Sequence, residues 1–208
     1  MGADSAMKDF APGFIATKWA PGSLGGWYSD PPQAVRWAGD LVVVGEVVRW
    51  TSPERENEGN GAFVHRVPDG TYPVYVNDGV PSGWEDEDPE RYRVDTLFIP
   101  LAGPERLRTT RWSHGYDDVG QYLDGYACLR SEGARRGDED GAIRRAKRAL
   151  LSEDARTGAS HGINEVVDPE TGANMLSFPV CRYGEVHGFE ALGEGDETLA
   201  LLFLANHD

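Results

Sequence analysis

The chain is 208 residues long, enough for one domain with a sizeable core of its own. Gly and Pro supply 39 of those residues, well above the usual share of about 12%, which favours turns and short strands over a helical bundle. Its 35 acidic and 20 basic side chains leave a net charge of −15, a surface that repels nucleic acid and anionic membranes and draws in basic proteins.

Residues 1–39 set Trp19, Trp27, Tyr28 and Trp37 among Gly and Pro with little periodicity. This stretch reads as a cover segment packed over a sheet; the alternative is a ligand-stacking surface. Residues 41–50, LVVVGEVVRW, are apolar almost throughout and predict a central strand buried on both faces, with Gly45 marking a bulge. A polar loop follows at 51–61. Residues 63–76 read as a strand, a turn at Pro68-Asp69-Gly70 and a second strand, which Pro73 places toward an edge. Residues 77–91 form a long acidic loop, in which Glu85, Asp86, Glu87, Asp88 and Glu90 set five carboxylates in six positions.

RVDTLFIPL (93–101) predicts a further strand, and RLRTTRW (106–112) alternates polar and apolar residues. In 113–131, Val119, Tyr122, Leu123 and Tyr126 fall at helical spacing behind Asp117 and Asp118, which predicts a short helix. A second helix is expected over 139–151, where Ile143, Ala146 and Leu150 form an apolar stripe. Arg144, Arg145, Lys147 and Arg148 make the rest of that helix basic. Residues 162–180 read as strand, DPETG turn and strand, and 182–205 as two strands around GEGDE. The expected fold is α+β and mainly β: a curved antiparallel sheet or sandwich of about eight strands, with two short helices on one side. The acidic excess is spread evenly over both halves and no repeat occurs, so 1–208 reads as a single domain.

The opening MGADSAMKDF lacks a basic n-region and an apolar h-region, and the longest apolar run, LALLFLA at 199–205, is short of the ~20 residues of a membrane span. Both point to a soluble cytoplasmic protein. The only cysteines are Cys128 and Cys181; without a CxxC spacing they read as free thiols, with a disulfide between them the alternative.

HExxH, P-loop and dinucleotide-binding spacings are absent from the sequence. His114, His161 and His187 each precede a glycine, and with Glu165 they could assemble a His/carboxylate metal site. The competing reading is histidines in turns. No cofactor is expected otherwise. The 85–90 run lacks the spacing of a calcium loop. It can present carboxylates to a basic surface, with Trp84 as an interface anchor.

Val67, Pro68, Asp69, Gly70, Tyr72, Pro73 and Val74 spell a VPxGxYPV-like pattern behind the apolar run of 41–50. In this the chain resembles a bacterial family of unknown function, and VVDPETGANM (166–175) and GEGDETLALLFLAN (193–206) look like that family's later turns. Gly45-Glu46 stands where the family tends to carry Asp-Pro. The resemblance implies a β-rich fold in a setting similar to that of toxin-immunity proteins, and no catalytic residues.

The leading expectation is a non-enzymatic, acidic binding protein of the bacterial cytoplasm. Its sharper form is an immunity-type inhibitor that meets a basic toxin or nuclease through Trp84, Glu85, Asp86, Glu87, Asp88 and Glu90. The alternative is an enzyme with a His/carboxylate site, such as a metal-dependent hydrolase. A third possibility is an accessory role in an assembly through the basic helix.

Overall fold

The computed structural model describes residues 5–18, 35–56, 63–79, 93–114, 121–136, 139–151 and 162–206. Ten strands form in chain order: β1 (Val35–Val43), β2 (Val47–Thr51), β3 (Phe63–Arg66), β4 (Gly70–Gly79), β5 (Arg93–Pro100), β6 (Arg111–His114), β7 (Gln121–Ser131), β8 (Ile163–Val166), β9 (Asn174–Leu192) and β10 (Thr198–Asn206). Three helices accompany them: α1 (Ser5–Lys18), the single turn α2 (Pro104–Leu107) and α3 (Glu139–Leu151). The protein is mainly β, as the composition predicts, with antiparallel sheets that do not close.

The strands follow one hydrogen-bonded path, β1-β4-β5-β10-β9-β7-β2-β3, with β6 and β8 also on β9. Two elements serve both sheets. The first is a long ribbon in which Val35 to Val43 runs against Asn77 to Gly70, and Val47 to Trp50 against Arg66 to Phe63. It turns its corner at Gly45 and Glu46, both at positive φ (88° and 56°). The left-handed region suits glycine and is uncommon for glutamate. The corner is held by two bonds to the facing segment: Val67 N–H donates to Glu46 O (3.2 Å) and Glu46 N–H to Asp69 Oδ1 (2.8 Å). The second is β9, whose first half pairs with β8 and whose second half pairs with β10 and β6. Strands that switch sheets at bulges and bends are how two sheets share a corner.

This arrangement gives four layers. The inner faces of both sheets share the central core, which includes Leu41, Trp50, Phe63, Val76, Leu97, Leu129, Phe178 and Phe203. α1 and α2 cover one outer face, where Met7, Ala11, Phe14, Ile15 and Leu107 meet Tyr75, Phe98, Phe189 and Leu202. On the other outer face α3 lays Ala142, Ala146 and Leu150 against Tyr126, Cys128 and Met175. Helices thus flank both sides of the sandwich, where the sequence suggested one.

Several expectations change at the level of elements. The 41–50 run is two strands, and β1 is an edge strand where a central one was expected. β4 lies between β1 and β5 in spite of Pro73, and Tyr75 and Asn77 are buried because α1 covers that face. Residues 121–131 are strand β7, where a helix was expected. Leu123 and residues 126–131 are buried on both faces, which hides the two-residue alternation. Gly125, at φ 77°, lies among register shifts that break the period further. Within 1–39, α1 is a helix despite Pro12 in its interior and packs on the sheet, while Trp19, Trp27 and Tyr28 lie outside the described residues. α3, the turns 167–173 and 193–197, and the inner position of β10 match the sequence reading.

Candidate functional site

Two seams separate the sheet edges, and each is pinned by side chains. At the first, Asn174 on β9 reaches the edge strand β1. Val42 N–H donates to its Oδ1 (2.7 Å), and its Nδ2 donates to Asp40 O (2.7 Å) and to Asn164 Oδ1 (2.7 Å). Ser131 Oγ adds a bond to Val42 O (3.3 Å). Edge backbone groups are thereby paired without a neighbouring strand. At the second seam, His65 on β3 meets Glu190 on β9, Nδ1 to Oε1 at 2.9 Å. The ring of His65 lies edge-on to Phe203 and is almost wholly buried, whereas Glu190 is half-buried. Sequence reading missed this His–carboxylate pair, because the two residues lie 125 positions apart and share no motif.

A charged network ties the segment 52–56 to β7 and α3. Arg130, with its side chain fully buried, bonds Glu56 (2.6 Å). Arg135 spans Glu56 and Glu132, and Arg49 reaches Glu132 (3.3 Å). Lys147 of α3 holds Glu54, which also accepts from the Tyr126 hydroxyl (3.0 Å). Burial opposes the charge on Glu54, but the bonds from Lys147 and Tyr126 outweigh it and keep its pKa below the usual carboxylate range. Burial pushes the Tyr126 hydroxyl up, and the bond to Glu54 pushes it further. A buried charge with a partner is costly to break and weak evidence of a catalytic role. We read this network as structural.

Of the basic residues on α3, Arg145 bonds Glu165 (Nε to Oε1, 2.7 Å) and Lys147 bonds Glu54, while Arg144 and Arg148 face solvent. Of the alternative metal set, the described residues Glu165 and His187 lie far apart along the strands. Glu165, on β8, is engaged by Arg145 of α3 and sits opposite Met175; His187 lies twelve positions further along β9, roughly 40 Å of extended strand. His114, on β6, is opposite Phe189 and so near His187 in register. His161 lies outside the described residues. Among the described residues no three His, Cys, Asp or Glu side chains gather as a metal site would require. Cys128 is a buried thiol beside Ser177 Oγ (3.3 Å).

Trp84, Glu85, Asp86, Glu87, Asp88 and Glu90 lie outside the described residues. The chain leaves β4 at Gly79 and re-enters β5 at Arg93, and those two residues face each other in one ladder. The sequence between them, 80–92, thus begins and ends at two residues that pair with each other.

Inside the sandwich, a small cleft with room for about one water-sized group is bounded by Trp50, Thr96, Leu97, Leu123, Val186 and Phe203. The Trp50 indole Nε1 is buried with no acceptor among the described residues.

Together these features define a class: a helix-flanked antiparallel sandwich with pinned seams. Comparison of the chain with protein-family models, curated proteins and solved structures returns no match. Among the described residues no helix is long and apolar enough to cross a membrane.

Proposed function

We propose that this is a non-enzymatic binding protein whose partner is a basic protein, engaged through the acidic segment Glu85–Glu90 with Trp84 as its apolar anchor. The observation that carries this reading is the placement of five carboxylates, in a chain of net charge −15, between two strands that pair at the segment's ends. A rigid base limits the ordering cost of binding, and clustered charge raises the association rate through electrostatic steering. An immunity-type inhibitor of a cytoplasmic bacterial toxin or nuclease is the specific form we favour, and the resemblance of the 67–74 and 166–175 segments to a bacterial family in that setting supports it.

The test compares the wild type with E85Q/D86N/E87Q/D88N/E90Q as immobilised bait. Basic proteins retained only by the wild type are then taken to stopped-flow kinetics. The on-rate should fall by about tenfold or more at low salt in the variant, and its salt dependence should flatten. An on-rate equal to that of the wild type refutes the assignment of the interface.

A further inference from the structure

We propose that α1 is a strap that lifts from the sandwich as a unit, at a lower free energy than the sheets unfold, and so controls access to the apolar face beneath it. As a helix α1 is poorly suited to stand alone. Pro12 lies in its interior next to Gly13, and its first turn carries no acidic residue. Relative to alanine, an interior proline lowers the equilibrium for helix formation by about a hundredfold and an interior glycine by about fivefold. A first turn without acids also leaves the positive end of the helix dipole uncompensated. What holds α1 is one apolar face, on which Met7, Ala11, Phe14 and Ile15 meet Tyr75, Phe98, Phe189 and Leu202. The Phe14 ring lies 5.7 Å from that of Phe98 and 6.0 Å from that of Trp112.

The contacts at the rim of that face are soft. Lys8 sits over the exposed Trp37 ring (4.6 Å to its centroid) and the exposed Arg108 over that of Phe10 (5.3 Å). Cation–π contacts at exposed positions add little. α3, on the opposite outer face, is tied down more firmly: its interior carries no proline, Arg145 bonds Glu165 and Lys147 bonds Glu54. The strand path from β1 to β3 is complete without α1, so lifting it breaks no ladder. Elements held mainly by side-chain packing open more readily than central ladders. Opening uncovers Tyr75, Phe98, Phe189 and Leu202 together, a contiguous apolar face of the kind that monomeric proteins keep covered. The proposal is independent of the acidic segment.

The test is native-state hydrogen exchange of the whole chain, read by NMR at rising sub-denaturing urea. The amides of Ala11, Phe14 and Ile15 should exchange through one common opening. Corrected for intrinsic rates, they should do so at least about a hundredfold faster than those of Phe98 and Leu202, which face each other in the β5–β10 ladder, and with a weaker urea dependence. G13A places a methyl group where no neighbouring atom lies within 4 Å. It should slow the α1 amides about fivefold and leave those of Ala146 and Leu150 in α3 unchanged. P12A should slow them further, by up to about a hundredfold. The proposal is overturned if the α1 amides exchange only at the rates of Phe98 and Leu202, or as fast as in an unstructured peptide. It is equally overturned if G13A and P12A, folded as the wild type is, leave the α1 rates unchanged.

Discussion

Replacing Asn174 with leucine removes the clasp between β9 and the edge strand β1 while keeping the side-chain volume nearly constant. Three hydrogen bonds of 2.7 Å are lost. Val42 N–H and Asp40 C=O then sit against an apolar side chain at a position that is 4% exposed in the wild type. Each unsatisfied backbone group costs about 1–2 kcal/mol in such a setting, so the variant should lose about 2–4 kcal/mol. For a chain of this length that is a fall in Tm of roughly 5–15 °C. N174D should be no better: it keeps an acceptor for Val42 N–H but sets a carboxylate oxygen against Asp40 O. Thermal and urea denaturation measure the loss, and hydrogen exchange locates it. The Val42 amide should exchange faster, while that of Val48, inside the β2 ladder, should not change. If both variants stay within about 0.5 kcal/mol of the wild type, the seam is not held by Asn174 and the description of the sandwich as side-chain-pinned fails.

Other consequences follow from individual contacts. Because Glu54 has a lowered folded-state pKa, the stability it contributes is fully present above the ordinary carboxylate range and fades as pH falls through the folded value. E54Q should therefore flatten the acid limb of a stability–pH curve, by well under 1 kcal/mol because the side chain is substantially exposed; an unchanged limb contradicts the pairing with Lys147. Tyr126, raised by burial and by Glu54, should stay protonated in the folded protein above pH ~10, where an unfolded tyrosine ionises. The difference between the absorbance titrations of the wild type and Y126F should thus appear only with unfolding, and an early difference would contradict the burial. Cys128 should resist thiol reagents until the protein is denatured; rapid labelling of Cys128 under native conditions would contradict its burial. F14A should cost about 3–5 kcal/mol, since Phe14 packs on Phe10, Phe98 and Trp112, and a neutral effect would show that α1 is not part of the core.

Where local rules and tertiary contacts agree, the sequence is easy to read. α3 has one apolar stripe and one polar face, so its period is plain. The DPETG turn closes on its own residues, with Asp168 bonded to Glu170 N–H (2.9 Å) and the Thr171 hydroxyl (2.6 Å). The misread elements are those buried on both faces. In β7, Leu123, Ala127 and Leu129 enter the central core while Tyr126 and Cys128 pack toward α3, so no two-residue alternation survives. α1 was hidden for a different reason: Pro12 and Gly13 are poor helix formers, and packing over Tyr75 and Phe98 holds the helix instead. The 41–50 run is one apolar block in sequence, yet the positive φ of Gly45 and Glu46 makes it a corner. Of the candidate site, the acidic segment is legible as composition alone. The His65–Glu190 pair and the Trp50 cleft are assembled from residues distant in sequence, and only the fold brings them together.

The most direct test of the binding-protein account is native mass spectrometry of the purified protein beside an elemental metal assay. The account predicts a chain without stoichiometric metal that forms a discrete complex with a basic protein, dissociating as salt is raised. One transition-metal ion per chain, lost when His114 and His187 are replaced, would contradict it and restore the His/carboxylate enzyme as the better reading.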